Sequence, residues 1–236
     1  MLKIILINPS HPGNIGATAR AMKTMGFDNL HLVQPQQYPH PQANALASGA
    51  DDVLQNSQVH QSIDEALADC HFVVGTSART RALAIPLFTP RDFANWHRQQ
   101  TPDKKIALLF GRENSGLTNE ELNRCHYHVM IPANPEYSSL NLAQAVQILC
   151  YELHSAITQP QSQLQVNAAE LAEQHEMQQF FQHLEATLKR INFIKPNVPN
   201  RIMPRLKRLF NRASCDKTEL NILRGILTEI NKNNEL

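Results

Sequence analysis

The chain has 236 residues, of which 42% are apolar, and this is enough for one well-packed core and a small second domain. Apolar runs fall short of the ~20 residues that cross a bilayer, so we predict no membrane span. Four isolated cysteines without a Cys-x-x-Cys pair argue against a disulfide framework and favour a cytoplasmic protein, and a net charge of +1 excludes a uniformly basic protein.

Apolar runs of strand length alternate with amphipathic segments over the first two thirds of the chain. We predict strands over residues 2–7, 30–33, 71–75, 105–110 and 127–131. Helical spacing predicts a helix from residue 15 to a stop at residue 26, and further helices over residues 43–55, 63–69, 88–100, 117–124 and 140–157. This alternation predicts an α/β fold with a parallel sheet and helices on both faces.

The last third of the chain has a different composition. Residues 159–167 are polar, contain proline and predict a linker, which ends a first domain of residues 1–158. The remainder, residues 168–236, predicts a small α-helical domain. Its helical patterns cover residues 168–191, 202–211 and 217–231.

Positive charge is concentrated in this helical part. Residues 187–224 contain ten Lys or Arg and two acids, so the segment carries +8 and the rest of the chain −7. A local basic block on a near-neutral protein favours a polyanion partner, although a solvated helix face has the same composition. The cations that would bind the polyanion lie in one helical segment and are Arg201, Arg205, Lys207, Arg208 and Arg212.

Three loops rich in Gly, Asn, Ser and Pro each follow a predicted strand. They cover residues 8–20 (Asn-Pro-Ser-His-Pro-Gly-Asn-Ile-Gly-Ala-Thr-Ala-Arg), 110–117 (Phe-Gly-Arg-Glu-Asn-Ser-Gly-Leu) and 131–142 (Ile-Pro-Ala-Asn-Pro-Glu-Tyr-Ser-Ser-Leu-Asn-Leu). Because the carboxyl ends of parallel strands meet at one edge of a sheet, we expect these loops to build one pocket.

Each loop has residues suited to a ligand, and each also has a purely structural interpretation. A Gly13–Gly16 turn before a helix would form an anion-binding nest of backbone N–H groups, or a simple tight turn. Gly111 would let the backbone approach a flat ligand closely. Glu113 would organise its loop or pair with Arg112 or Arg20. The residues alone leave these alternatives open.

His126 and His128 lie on one face of a predicted strand, which raises the question of a metal site. No third ligand lies at a useful spacing, so we predict no metal. Eleven histidines are scattered along the chain, and none stands out as a catalytic base.

The three loops together resemble the motifs of the SPOUT class of RNA ribose methyltransferases. Their Asn-x-Gly-x-x-x-Arg, Gly-x-Glu and Pro…Ser-Leu-Asn motifs are matched here by Asn14, Gly16 and Arg20, by Gly111 and Glu113, and by Pro132, Ser139, Leu140 and Asn141. The segment 75–79 (Gly-Thr-Ser-Ala-Arg) and the basic tail narrow the resemblance to the branch that methylates the 2′-hydroxyl of nucleotide 32 in tRNA, the TrmJ type. The resemblance covers residues 1–158 well and the tail loosely.

The resemblance implies features that periodicity does not show. It implies a C-terminal trefoil knot over roughly residues 70–155, a fold element nearly absent from other proteins. It also implies S-adenosyl-L-methionine as the cofactor held in the knot, tRNA as the substrate, and a homodimer whose active sites take residues from both chains.

The resemblance also assigns roles to individual residues. Without it, Ser139 is equally well explained as the N-cap of the long helix. The implied catalytic residues are Arg20, Ser139, Asn14 and Glu113. The implied cofactor contacts are Thr76, Ser77, Ala78, Gly111, Ile131, Ser138, Ser139 and Leu140, and the implied RNA contacts are Arg79, Arg81 and the five cations of the helical tail.

Three other functions stay open at this stage. A SPOUT methyltransferase acting on ribosomal RNA shares the catalytic domain, so only the tail and residues 76–81 favour tRNA. An RNA-binding protein that has lost methyl transfer is opposed by the intact motif residues. A Rossmann or flavodoxin-like nucleotide protein would have an open, unknotted sheet, but the Gly-x-Gly-x-x-Gly fingerprint is absent.

Overall fold

The computed structural model describes residues 1–78, 85–158, 170–195 and 201–233. In chain order the elements of these ranges are β1 Leu2–Ile7, α1 Pro12–Thr24, β2 Leu30–Val33, α2 Pro41–Ala47, α3 Asp51–Gln55, β3 Gln58–His60, α4 Ile63–Leu67, β4 Phe72–Ser77, β5 Leu87–Phe88, α5 Pro90–Arg98, β6 Ile106–Phe110, α6 Asn119–Leu122, β7 Tyr127–Met130, α7 Leu142–Thr158, α8 Gln174–Arg190, α9 Ile202–Ala213 and α10 Lys217–Asn233. None of these helices is long and apolar enough to cross a bilayer.

The strands of the described ranges form one parallel sheet in the order β3-β2-β1-β6-β4-β7-β5. Every residue of β1 and β6, near its centre, is buried, because helices cover both faces. Ile4 and Leu6 pack with α1, α2, α5 and α7, whereas Ile5 and Ile7 pack with α4 and α6 on the opposite face. The predicted α/β fold with a parallel sheet is confirmed.

Two short strands, β3 and β5, lie at the edges of the sheet and were not predicted. They contain three and two residues, and each pairs with a single neighbour. Neither forms a continuous apolar run, so periodicity gave no signal for them. Phe88 belongs to β5, and the helix predicted from residue 88 begins instead at Pro90. Its N-cap is Thr89, whose hydroxyl accepts from the Asp92 N–H at 3.2 Å.

The helix predicted over residues 43–55 is two helices, α2 and α3. Ser48 and Gly49 have φ angles of 47° and 91°. This left-handed conformation ends a helix because its backbone cannot continue the right-handed turn. The apolar spacing on the two sides of the break is compatible with one continuous helix, which is why the sequence pattern gave no sign of the break.

The turn predicted at Gly13–Gly16 is wrong, because both glycines lie inside α1, which begins at Pro12. A Cβ atom on Gly16 would lie 2.0 Å from the carbonyl oxygen of Ala43 in α2. Gly16 therefore permits the close packing of two helices, and the loop before α1 is shorter than expected.

The C-terminal helices α8, α9 and α10 dock at the edge of the sheet where the strands begin. The Gln174 N–H donates to the carbonyl of Cys70, just before β4, at 2.7 Å. The Asn211 side chain donates to the carbonyl of Asn123, shortly before β7, at 3.3 Å. Their own core includes Met177, Phe180, Phe181, Leu184, Met203 and Leu220.

Several predictions concern residues outside the described ranges. The predicted linker, residues 159–167, lies outside them. Residues 79–84 also lie outside them. The path of these residues is needed to trace the expected knot over residues 70–155, so the knot stays a prediction. The helix predicted over residues 168–191 is shorter, because α8 begins after Glu173, whose side chain forms a capping box with Glu176.

Candidate active site

The three motif loops lie at the carboxyl ends of the parallel strands, and the C-terminal helices contact the opposite side of the sheet, where the strands begin. They follow β1, β6 and β7, and a fourth segment that starts at Ala78 follows β4. Those four strands are consecutive neighbours in the order β1-β6-β4-β7, and all are parallel. The predicted convergence of the loops is therefore confirmed by the topology.

Glu113 joins the second loop to the first. Its carboxylate accepts hydrogen bonds from the Ser10 N–H at 3.0 Å, the Ser10 hydroxyl at 3.0 Å and the His11 N–H at 3.2 Å. It also accepts one from Asn14 Nδ2 at 3.0 Å. The anion at the amino end of α1 is thus a carboxylate of the protein itself, and Glu113 organises the loop rather than pairing with a nearby arginine.

These hydrogen bonds decide the protonation state of Glu113. Partial burial by itself would raise the pKa of the carboxyl group. Hydrogen bonds from Asn14 and from the N–H groups of Ser10 and His11 outweigh burial and lower the pKa to about 2. Glu113 is therefore ionised throughout the neutral range, and it is an acceptor rather than a proton donor.

Asn14 and Asn141 join the first loop to the third. The Asn141 amide donates to Asn14 Oδ1 at 2.9 Å, while Asn141 Oδ1 accepts from the N–H of Ala143 at 2.9 Å and of Gln144 at 3.4 Å. Asn141 therefore caps α7, and the expectation that Ser139 is the cap is wrong. Hydrogen bonds from Glu113 through Asn14 to Asn141 link all three motifs.

Arg20 is not part of this network. It lies on α1 six residues after Asn14, about 9 Å further along the helix axis. Its side chain is exposed, and its guanidinium has no hydrogen bond or ion pair to any residue in the described part of the chain. A cation exposed in this way is open to solvent and to a bound ligand.

The predicted cofactor residues lie around the ends of β4, β6 and β7. Thr76 and Ser77 end β4 and are half-buried, and the Thr76 hydroxyl donates to the carbonyl of Leu109 at 2.9 Å. Ala78 is exposed. Arg79 and Arg81, the predicted RNA contacts of this loop, lie outside the described residues.

Gly111 has a packing role within its own loop. A Cβ atom there would lie 2.0 Å from the carbonyl carbon of Gly116, because the loop folds back on itself. The loop closes through reciprocal backbone hydrogen bonds between Arg112 and Gly116, at 3.2 and 2.9 Å. Gly111 is therefore required by the packing of its own loop, and its expected contact with the cofactor stays a prediction.

The remaining cofactor candidates have the chemistry of a site for a neutral heterocycle. Ile131, Ser138 and Leu140 are half-buried, Ser139 is exposed, and none of the predicted cofactor residues is charged. Apolar side chains beside hydroxyl and backbone groups suit a flat ring with a polar edge, such as adenine. The residues present therefore fit the adenosine part of S-adenosyl-L-methionine.

His126 and the four cysteines are buried rather than placed at the motif loops. His126 is buried, its Nδ1 accepts from the Val73 N–H at 3.1 Å, and burial lowers its pKa to about 4. Burial raises the pKa of the Cys150 thiol to about 12, and all four cysteines are free. Within the described ranges, no group of three or more His, Cys, Asp or Glu is arranged to hold a metal ion.

The basic residues of the tail lie on α9. Arg201, Arg205 and Arg212 are exposed, and Lys207 and Arg208 are half-buried, with the Lys207 ammonium 5.9 Å from the centre of the Phe181 ring. No described acid pairs with any of these five cations. Their spacing places Arg201, Arg205, Arg208 and Arg212 on one basic face of α9, whereas Lys207 points to the side of that face.

Sequence comparison assigns the two parts of the chain. Residues 1–151 match the SpoU rRNA methylase family, and residues 175–236 match the C-terminal domain of the tRNA methyltransferase TrmJ. The chain belongs to the SpoU methylase family. Within that family it is a member of the TrmJ branch, because two full-length relatives of that name are about half identical to it. A protein of Klebsiella pneumoniae is 49% identical over 99% of this chain and 98% of its own length, and one of Sodalis glossinidius is 51% identical over 97% and 91%. Both are named tRNA (cytidine/uridine-2′-O-)-methyltransferase TrmJ.

Solved structures of SpoU-type methylases agree with this assignment. The crystal structure of TrmJ from Zymomonas mobilis superposes with a TM-score of 0.87 at 35% identity, covering 98% of this chain and 99% of that one. A probable methylase of Haemophilus influenzae gives 0.66 at 45% identity, covering 99% and 97%. The SPOUT fold is thereby confirmed for this member of the family.

Proposed function

We propose that this protein transfers a methyl group from S-adenosyl-L-methionine to the ribose 2′-hydroxyl of cytidine or uridine at position 32 in the anticodon loop of tRNA. Membership of the TrmJ branch supports the reaction and the substrate class. The observation that carries the proposal for this chain is the hydrogen-bonded path from Glu113 through Asn14 to Asn141, because it assembles the three motifs into one site.

The cofactor supplies an electrophilic methyl group, so the protein has to position two molecules and help a hydroxyl lose its proton. In the proposal, Ile131 and Leu140 contact the faces of the adenine, while Ser138, Ser139 and the end of β4 bond its polar groups. The residues Thr76, Ser77 and Ala78 complete the wall at β4, and Gly111 keeps the neighbouring loop compact. Their neutral character supports this assignment.

Arg20 is the proposed catalytic residue. A guanidinium stays protonated in water-accessible sites, so Arg20 does not act as the base. It orients the RNA phosphate next to the target ribose and stabilises negative charge that develops on the 2′-oxygen. The proton then passes to that phosphate, to the Ser139 hydroxyl or to water. The guanidinium is exposed and has no ion pair with any residue of the described ranges, which supports this role.

A homodimer completes the proposed site. Arg20 lies about two helical turns from the Asn14 network of its own chain, and its guanidinium is exposed. In the dimer, Arg20 of one subunit acts at the cofactor held by the partner subunit. The basic face of α9, with Arg79 and Arg81 of the β4 loop, binds the tRNA backbone through phosphates.

The proposal is tested by methyl transfer from labelled S-adenosyl-L-methionine to unmodified tRNA, with the product nucleoside mapped by mass spectrometry. We expect a 2′-O-methyl group at position 32, and a loss of kcat/KM by about 100-fold or more in Arg20→Ala. Lys23→Ala is the matched control, an exposed cation one turn further along the same helix, and it should retain activity. Cofactor binding without tRNA methylation would contradict the proposed substrate, and absence of cofactor binding would contradict the reaction.

Methylation of ribosomal RNA is the second candidate, because the catalytic part matches a family described by that substrate. The match of residues 175–236 to the TrmJ C-terminal domain favours tRNA. Offering both RNAs in one competition assay separates the two, since the true substrate should acquire nearly all of the label.

A further inference from the structure

Arg112 lies in the second motif loop, immediately before Glu113, and it belongs to none of the motifs. Its guanidinium donates two hydrogen bonds to the carboxylate of Glu121 in α6, at 3.1 and 3.0 Å. This is the two-point geometry that arginine forms with carboxylates and that lysine cannot reproduce. The same guanidinium donates to the side-chain oxygen of Asn8, at the end of β1.

Both partners of Arg112 are themselves fixed. The Glu121 side chain is only 12% exposed, and it also accepts from the Thr118 N–H at 2.7 Å as part of the capping box of α6. Asn8 has a left-handed backbone with φ 46°, and its amide donates to the Gln34 carbonyl at 3.2 Å. Arg112 therefore connects the second motif loop to two rigid points, one on either side of it.

Glu113 holds the next segment of the same chain. While Arg112 holds Asn8, the neighbouring carboxylate holds Ser10, His11 and Asn14. Two consecutive side chains thus attach the loop after β6 to the loop after β1. A shift of Arg112 would move Glu113 and, with it, the amino end of α1. Because α1 is the helix that carries the catalytic candidate Arg20, Arg20 would shift as well.

We infer that Arg112 is a positioning residue for methyl transfer, and that its forked bond to Glu121 sets the place of Glu113 and the orientation of α1. This inference rests on the proposed function. It predicts an effect on the chemical step, because a displacement of about 1 Å in a catalytic group costs up to 100-fold in rate while substrate contacts remain in place. An arginine that bound RNA directly would affect tRNA binding instead.

Arg112→Lys distinguishes these roles, since lysine keeps the positive charge but loses the fork. With full-length protein and saturating cofactor, we expect kcat for tRNA methylation to fall about tenfold in both Arg112→Lys and Arg112→Ala, with KM for tRNA unchanged within about twofold. Asp52→Asn, which removes an exposed ion pair with Lys23, is the control and should leave both constants unchanged. Thermal unfolding curves establish that each variant is folded at the assay temperature.

Glu121→Gln tests whether Glu121 is the residue through which Arg112 acts. Glutamine at this position still forms a capping box, so α6 is preserved, whereas the ionic fork is lost. If the two residues act as a pair, Arg112→Lys combined with Glu121→Gln should lose no more activity than Arg112→Lys alone.

Full activity in Arg112→Lys, a rise in KM for tRNA, or additive losses in the double variant would each overturn the positioning role. The wild-type protein, assayed in the same experiment, separates failure of the positioning role from failure of the proposed function. If the proposed function is wrong, the wild-type protein will transfer no methyl group to tRNA, and the inference about Arg112 fails as well.

Discussion

Glu113 stabilises the start of α1 from a distant part of the chain. The N-cap of α1, His11, makes no side-chain cap bond. The carboxylate, 103 residues away from Ser10, accepts from the N–H groups of Ser10 and His11 just before the helix and from the Asn14 side chain in its first turn, where the positive end of the helix dipole favours an anion. One side chain therefore stabilises a helix and holds two motif loops together, so stability and activity should respond together when it is changed.

We expect Glu113→Gln to lower the free energy of unfolding by about 1–2 kcal/mol at neutral pH and to reduce kcat. Because the folded pKa is about 2 and lies below the ordinary value of 4.5, the stabilisation is complete above pH 4.5 and is lost as the pH falls towards 2. Urea unfolding of both proteins between pH 3 and 7 measures this difference, which should shrink in acid. Glu120→Gln, the same change at an exposed glutamate of α6, should alter stability by less than about 0.5 kcal/mol.

Asn141 has two functions that substitution can separate. Asn141→Ala removes both the cap of α7 and the bond to Asn14, and should cost about 1 kcal/mol of stability as well as activity. Asn141→Ser keeps a capping oxygen but has no amide to reach Asn14, so its stability should stay close to that of the native protein while kcat falls. Equal loss of stability in the two variants would contradict the separation of roles.

At the scale of elements, close packing between helices decides the use of glycine. Gly16 in α1 faces the backbone of α2, where a Cβ atom would lie 2.0 Å from the Ala43 carbonyl oxygen, whereas a Cβ atom on Gly225 in α10 would meet no atom within 4 Å. The same residue type is therefore required in one helix and unfavourable in the other. The match of Gly16 to a methyltransferase motif thus has a packing reason as well as a position next to the site.

Gly16→Ala should lower the free energy of unfolding by about 2 kcal/mol or more, because backbone atoms cannot yield to the new methyl group. Gly225→Ala should raise it by about 0.5–1 kcal/mol, since alanine has the better helix propensity and open space to occupy. Chemical denaturation of the two variants checks both signs. A neutral Gly16→Ala would show that α1 and α2 can separate at little cost.

At the scale of the whole molecule, the active-site loops and the basic helix α9 are at opposite edges of the sheet. The loops follow the ends of the strands, while the helical unit contacts Cys70 and Asn123 before the strands begin. An RNA held by α9 therefore has to extend across the thickness of the domain to reach a site. Under the proposed function, one end of the protein would supply affinity for RNA and the other end would supply the chemistry.

Replacing Arg201, Arg205 and Arg212 together by alanine should weaken tRNA binding without lowering kcat at saturating tRNA. The slope of log affinity against log salt concentration should become shallower by about 2, because a protein that has lost three phosphate contacts releases fewer counterions when it binds. Titrations at several salt concentrations measure this slope. Lys232→Ala, in which the lost cation pairs with Glu229, should leave it unchanged.

The sequence by itself determined the features that depend on neighbours along the chain. The five long strands follow from continuous apolar runs, and the caps at Thr89 and Thr118 follow from a hydroxyl placed just before a helical pattern. The motif residues and the basic segment can also be recognised in the sequence, because both are defined by residue type and spacing along the chain. The parallel order of strands and loops then required that the motifs meet at one edge.

Only the tertiary structure decided which side chains bond to one another. Glu113 to Ser10 and Asn141 to Asn14 join residues 103 and 127 positions apart, and Arg112 to Asn8 joins residues 104 apart. Sequence patterns report periods of a few residues, so they gave no signal for these pairs, for the edge strands or for the docking of α8. Such contacts exist because the sheet brings distant loop ends together, and the architecture of the site is a property of that assembly.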